Sequence, residues 1–256
     1  MRRFIILFLM VFSSTQSLMA SDFAKEKRWA DQVVDALIDG EAEWLEADGH
    51  EFLAIYTEAE EESSRGMIVV HGTGIHPDWD QVVKPIRVDM VSHGWNTLSI
   101  QMPILSNEAE YADYVPLYPE VPPRIQAAEA FLIEKGMSEI VIVSHSQGAT
   151  MTSYYLSRNS SKAKAFVAIG MGATQKDSHL NSANALKNIN IPVLDMYGTE
   201  DLPGVLETSK LRQQSASHNP AYEQYVAKGV AHFWEGREKE LLETIRQWLD
   251  KTFGKL

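Results

Sequence analysis

The sequence predicts an α/β domain: a mostly parallel central sheet of about eight strands, an antiparallel N-terminal hairpin, and helices on both faces. Three observations predict it. From Gly66 onward, short apolar runs alternate with amphipathic stretches, the order that parallel strands joined by crossover helices require. Before that point, two strand-like runs flank Asp48-Gly49-His50, as a β-hairpin does. No repeat, low-complexity tract or linker interrupts the chain, and its 45% apolar and 23% charged residues are those of an ordinary globular domain.

Each element has its own signal. Phe23, Trp29, Val33, Val34 and Leu37 recur at helical spacing, predicting an amphipathic helix over 23–37. The hairpin occupies 42–47 and 51–56, and the acidic stretch 58–62 runs on through Ser63-Ser64-Arg65 as a solvated loop. A buried strand follows at 66–70. A helix is expected over 80–93, stopped by Gly94, then a strand at 96–101 and a helix at 122–134 stopped by Gly136. The strand 139–143 leads into a helix at 147–157. Strands at 163–169, 191–197 and 222–227 alternate with helices near 181–187, 206–214 and 235–253. Only about twenty residues separate the strands ending near Gly170 and starting at Ile191, which leaves no room there for a large lid. Short loops, including 104–120, are left to control access, and a small or exposed substrate suits such a site.

The chemistry concentrates at strand ends. Ser144-His145-Ser146-Gln147-Gly148 follows the apolar run Ile140-Val141-Ile142-Val143, so Ser146 rides a sharp strand-to-helix turn. Small residues at Ser144 and Gly148 suit such a turn, because larger side chains would meet the neighbouring strand or helix. A serine hydroxyl becomes nucleophilic when a positioned base takes its proton and an acid orients that base. Asp201 follows the strand 191–197 in the loop Gly198-Thr199-Glu200-Asp201, at the sheet edge where parallel-sheet proteins place ligands. His232 lies in Gly229-Val230-Ala231-His232, just before the last helix. Donors for a developing oxyanion are the backbone N–H groups of Thr73, in the loop His71-Gly72-Thr73-Gly74, and of Gln147, at a helix start. No cofactor and no metal enters this chemistry.

These residues resemble the α/β-hydrolase superfamily from about Glu41 to the C-terminus. The five residues around Ser146 match its nucleophile elbow G-x-S-x-G, with Ser144 in place of the first glycine, and the order Ser146, Asp201, His232 is the one it uses. The stretches His71-Gly72-Thr73-Gly74-Ile75-His76-Pro77-Asp78-Trp79 and Gly94-Trp95-Asn96-Thr97-Leu98-Ser99 are more narrowly similar to a family of exported bacterial proteins of unknown function, usually classed as α/β-hydrolase-like. The resemblance implies the fold and hydrolase chemistry, and no substrate.

Other readings compete at several positions. Asp195 sits mid-strand and Glu200 one residue early, while Asp177 is a further acid candidate after the preceding strand. His71 reads as structural, and His145 is expected to point away from the nucleophile toward the core. His71, His76, Asp78 and Asp80 offer metal-type donors, but Pro77 interrupts them and His-x4-His matches no common site spacing. Tyr111, Tyr114 and Tyr118 line a pocket or pack in the core. Trp234 and Trp248 read as anchors of the last helix. At the level of function, a serine hydrolase cleaving an ester or related acyl bond through an acyl-enzyme stands beside two alternatives. One is a non-catalytic binding or scaffold protein on the same fold; the other is an acyltransferase using the same triad.

The hydrolase resemblance implies a small-molecule acyl substrate as partner, and composition bears on the other partner classes. Arg2 and Arg3, the nine-residue apolar run 4–12 and the small, polar-leaning stretch 13–20 have the layout of a secretory signal peptide, with cleavage expected after Ala20. A single domain over 21–256, periplasmic or secreted, follows from that reading, with no stable membrane insertion once the signal is removed. The absence of cysteine suits an oxidising compartment and excludes a thiolate nucleophile or metal site. Without residues 1–20, 21 basic residues face 35 acidic ones, a balance that repels nucleic acid and anionic lipid.

Overall fold

The alternating apolar runs assemble into one eight-stranded sheet in the computed structural model, which describes residues 21–255. The expected signal peptide lies outside the described residues. In chain order the main elements are α1 (Phe23–Ala36), β1 (Glu41–Ala47), β2 (His50–Thr57), β3 (Arg65–Val70), α2 (Val83–Asp89), β4 (Asn96–Ile100), α3 (Val121–Glu134), β5 (Glu139–His145) and α4 (Gln147–Arg158). They continue with β6 (Ala163–Ile169), α5 (Ser182–Leu186), β7 (Val193–Glu200), α6 (Pro203–Leu206), α7 (Ser209–Ser215), β8 (Tyr222–Ala231) and α8 (Glu238–Phe253).

The strand order is β1-β2-β4-β3-β5-β6-β7-β8. The hairpin β1–β2 and the β2–β4 pair are antiparallel, and every other neighbour is parallel. Period-two alternation then sorts the core into two layers. Ile68 and Val70 of β3 and Ile140 and Ile142 of β5 pack with Ile125, Ala128 and Leu132 of α3 and Ala149 of α4. Met67, Val69, Val141 and Val143 face the other way, against Val83 and Ile86 of α2 and Leu241, Ile245 and Trp248 of α8. Helix α1 covers Leu53 and Ile55 of β2 through Ala30 and Val33. Trp234 is fully buried in the layer that holds α8, as expected of an anchor. No helix among the described residues is long and apolar enough to cross a membrane, and no large lid is inserted between β6 and β7.

Three boundaries differ from expectation, each for a local reason. The helix expected from 80 begins at Val83, because Pro85 has no N–H to donate to the Gln81 carbonyl and its ring would collide with it. The helix expected over 206–214 is broken into α6 and α7, with the Arg212 guanidinium donating to the Val205 carbonyl at 2.9 Å and to Thr208 Oγ1 at the break. The loop 104–120 contains a 3₁₀ segment, Tyr111–Glu120, in which Pro116 and Pro119 remove donors that an α-helix needs.

Strands β7 and β8 also run further than their sequence signals. Gly198 permits this: a Cβ there would lie 1.9 Å from the Val230 carbonyl oxygen. The extended register pairs Glu200 with Ala231. The next residues on the two strands are Asp201 and His232, so backbone pairing alone sets them side by side.

Candidate active site

Strand β5 delivers the chain to the carboxyl edge of the sheet, where Ser146 adopts φ 56° and ψ −125° before α4 begins. Such a conformation is uncommon for a residue with a Cβ, and here the surroundings over-determine it. The Ser146 N–H donates to the Ile169 carbonyl at 2.7 Å. Two glycines make room around the turn. A Cβ on Gly148 would sit 2.2 Å from the His71 carbonyl oxygen, and one on Gly72 would sit 2.9 Å from the Ser146 Cβ. Ser144 is buried and its hydroxyl meets Thr152 Oγ1 at 2.8 Å, so it faces away from solvent.

The structure brings Ser146, His232 and Asp201 into one hydrogen-bonded chain. Ser146 Oγ lies 2.9 Å from His232 Nε2, and His232 Nδ1 lies 2.6 Å from Asp201 Oδ1. Asp201 Oδ1 also accepts from the Leu202 N–H at 2.7 Å, which holds the carboxylate toward the ring. The other acid candidates are placed elsewhere. Asp195 is buried against Arg212, Tyr222 and Gln224; Glu200 is exposed; Asp177 pairs with His179 at 2.8 Å. A glycine that sequence reasoning passed over completes this contact. Gly170, at the end of β6 with φ 62°, lets the imidazole seat: a Cβ there would be 2.8 Å from His232 Cε1. A glycine one residue past a site-bearing strand was the available signal.

The Thr73 and Gln147 backbone N–H groups donate to no partner among the described residues, and Gln147 is the first residue of α4. Unpaired amides at a helix start favour negative charge. The loop that carries Thr73 is held by His71. Its Nε2 receives the Met102 N–H at 2.9 Å, so the proton sits on Nδ1, which donates to the Gly72 carbonyl at 2.8 Å. Gln101 adds a second donor to Nε2 at 2.9 Å, and Arg124 donates to the Gln101 carbonyl. His145 is directed into the core, where its Nε2–H donates to the His232 carbonyl at 3.0 Å. It therefore links the elbow to the loop carrying His232. Burial pushes both histidines down to about 3, so both are neutral.

A side chain not foreseen as polar machinery ties the remaining parts together. Gln147 is 1% exposed; its Oε1 accepts from Thr73 Oγ1 at 2.7 Å and its Nε2 donates to the Tyr111 carbonyl at 3.0 Å. One buried amide thus spans the elbow, the Thr73 loop and the 3₁₀ segment. Tyr111 lines the cleft, whereas Tyr114 and Tyr118 are core residues. Nothing in the sequence marks such a tether, because both partners are more than thirty residues away.

The protein-of-unknown-function family DUF3530 matches over residues 22–115 and 108–251. The chain belongs to that family. Among solved structures, this DUF3530 member is similar to Est1E from Butyrivibrio proteoclasticus, at 14% identity and a TM-score of 0.65, over 84% of this chain and 99% of that one. The Pyrococcus furiosus esterase Pf2001 aligns at 15% identity and a TM-score of 0.67, over 86% and 95% of the two chains. An alpha-beta serine hydrolase homologue from Coxiella burnetii aligns at 18% identity and 0.66, over 82% and 98%. These likenesses establish the α/β-hydrolase fold. No curated protein matches the sequence.

In this DUF3530 member the Ser146–His232 pair opens onto a cleft of about 850 Å³ with Tyr111, Ala173, Leu202, Val205 and Leu211 in its walls. Leu202 is 52% exposed, an apolar side chain presented to whatever enters. A larger depression of about 1180 Å³ lies at the amino ends of β3 and β4, across the sheet from Ser146, and is bordered by the acidic loop. Among the described residues no group of three or more His, Cys, Asp or Glu is placed to hold a metal ion. Asp78 is instead engaged by Arg87 at 2.6 Å and Lys84 at 3.5 Å.

Proposed function

We propose that the chain is a serine hydrolase that cleaves an ester or related acyl bond through an acyl-enzyme. The observation that carries this reading is the Ser146–His232–Asp201 hydrogen-bond chain, 2.9 and 2.6 Å long, at the mouth of an apolar cleft. Ser146 Oγ attacks the substrate carbonyl as its proton passes to His232 Nε2. Asp201 holds the ring in the Nδ1–H tautomer and stabilises the imidazolium that forms. The Thr73 and Gln147 N–H groups receive the oxyanion. Collapse of the tetrahedral adduct expels the alcohol, which takes the proton from His232, and water then repeats the sequence to release the acid. Similarity to two esterases supports the reading, as does the complete Ser/Asp/His order. The cleft is large for a site in the usual range of about 300–1,000 Å³. Its apolar walls suit an acyl or aromatic group larger than acetyl; Est1E has been solved with ferulic acid bound. With residues 1–20 as an export signal, the enzyme works in the periplasm or outside the cell.

Labelling with a fluorophosphonate, followed by peptide mapping, tests the proposal. The folded protein is expected to take one label, on Ser146. A folded protein that takes no label and turns over no short-chain ester rules the reading out, and a label on another serine means a different nucleophile.

The tether predicts a separable effect. Gln147→Met fills the same space but drops both hydrogen bonds, each worth about 1 kcal/mol. The expected result is a roughly tenfold fall in kcat with KM nearly unchanged. Thr73→Val, which keeps the backbone donor and removes one bond, falls about half as far on a logarithmic scale. Equal loss in KM for both variants would instead assign Gln147 to substrate binding.

A further inference from the structure

We propose that hydrolysis of the Ala20–Ser21 peptide bond creates a docking group, and that the resulting α-ammonium of Ser21 seats as an ion pair on Glu120. The Glu120 carboxylate is already committed to this residue. Ser21 N lies 3.1 Å from Glu120 Oε1, and Ser21 Oγ lies 2.7 Å from Oε2. The main chain just after that contact is pinned: the Asp22 N–H donates to the Ile104 carbonyl at 2.7 Å, and the Phe23 N–H to the Ser21 carbonyl.

Charge balance indicates what the seat is for. Glu26 and Glu120 converge on Arg124, whose NH2 group is 2.8 Å from Glu26 Oε1 and 3.6 Å from Glu120 Oε2. Arg124 and Glu26 are almost fully buried, at 2% and 5% exposure. Lys25 does not join them; its ammonium is directed to the Leu105 carbonyl at 2.8 Å. Among the described residues one guanidinium thus faces two carboxylates, with the half-buried His50 hydrogen-bonded to Glu26 at 2.8 Å. An amide at Ser21 supplies a hydrogen bond to Glu120 but no charge. Cleavage supplies the charge: water adds its hydroxyl to the Ala20 carbonyl, and the freed Ser21 amine leaves as an ammonium. The hydrolysing enzyme is a signal peptidase, acting where the small residue Ala20 ends the exported leader.

The seat bears on the cleft. Ser21 and Asp22 hold Glu120 and Ile104, which bracket the stretch carrying Tyr111 and its contact to Gln147. The charge that cleavage adds at Ser21 therefore strengthens a contact that braces one wall of the candidate site from outside.

The test uses the full precursor, expressed with export. The mature protein is expected to have the mass of a chain beginning at Ser21. Inserting one glycine between Ala20 and Ser21 displaces the ammonium by one residue and is expected to lower Tm by about 2–4 °C. Glu120→Gln, which keeps a side chain able to hydrogen-bond the Ser21 hydroxyl, should lower it similarly. Combining the two should cause no further fall. In the native mature protein, acetylation of the Ser21 α-amine should be about tenfold slower than in Glu120→Gln, because a paired ammonium is a poorer nucleophile than a free amine. A retained leader, a mature chain beginning elsewhere, or an insertion effect of equal size in the Glu120→Gln background overturns the proposal. So does equal acetylation of the two proteins. None of these outcomes depends on whether Ser146 is a nucleophile.

Discussion

Ser146→Ala is expected to lower turnover of a short-chain ester by about 10⁵–10⁶-fold while leaving the melting temperature within a few degrees of wild type. Alanine keeps the Cβ that packs against Gly72 and is no worse than serine at φ 56°. The change therefore removes the nucleophile and little else. His232→Ala should cost a similar factor, and the double variant no more than either single one, because the two residues act as a unit. Asp201→Asn is expected to cost about 10⁴-fold, since an amide at 2.6 Å from Nδ1 favours the wrong tautomer. Steady-state kinetics on the four proteins, with circular dichroism as the folding control, checks the set. A Ser146→Ala protein retaining more than about a hundredth of wild-type turnover would remove Ser146 from the mechanism, and additive losses would remove the coupled triad.

The positions of Ser146, Asp201 and His232 were legible because strand ends are local features: an apolar run, then a small-residue turn. What brings them within hydrogen-bond distance is not local. It depends on β7 and β8 pairing as far as Glu200 and Ala231, on Gly198 admitting the Val230 carbonyl, and on Gly170 admitting the imidazole. Each of these glycines is explained only by a residue more than thirty positions away. The same holds for Gln147, whose backbone N–H has a readable position at a helix start while its side chain answers to Thr73 and Tyr111.

Helix boundaries failed for a simpler reason. Pro85 carries an explicit backbone rule that the reading of one helix over 80–93 overrode, while the 3₁₀ segment within 104–120 falls in a stretch read as loop. The two core layers, by contrast, follow from alternation within strands of the parallel sheet, where both faces are apolar and each face meets its own helices. The fold was thus legible from pattern, and the site from pattern plus order. Its close contacts were legible only from the register.

Acid is expected to destabilise the protein steeply well above the range where carboxylates titrate. His71 and His145 are 1% and 2% exposed, and burial holds both down to about 3 in the folded chain. In the unfolded chain each protonates near 6.5. Between those values the unfolded state binds more protons, so this stability is fully present above about pH 6.5 and is lost as pH falls toward 3. Two such groups give a limiting slope of about 2.7 kcal/mol per pH unit, or about 3 kcal/mol between pH 6.5 and 5, against a total of about 5–15 for a typical domain. Urea unfolding at pH 7, 6 and 5 measures the slope. His145→Gln, which keeps a donor for the His232 carbonyl, should halve it. A slope below about 1 kcal/mol per unit in wild type, or an imidazole of either residue titrating near 6 in the folded protein, would contradict the expectation. The geometry explains why the fold resists these protons. A proton on His71 Nε2 would face the Met102 N–H donor, and one on His145 would place charge beside the His232 ring, whose centroid is 4.8 Å away. The neutral imidazoles that hold the Thr73 loop and the His232 loop are therefore the groups that acid attacks, so the candidate site and the fold should fail in one transition.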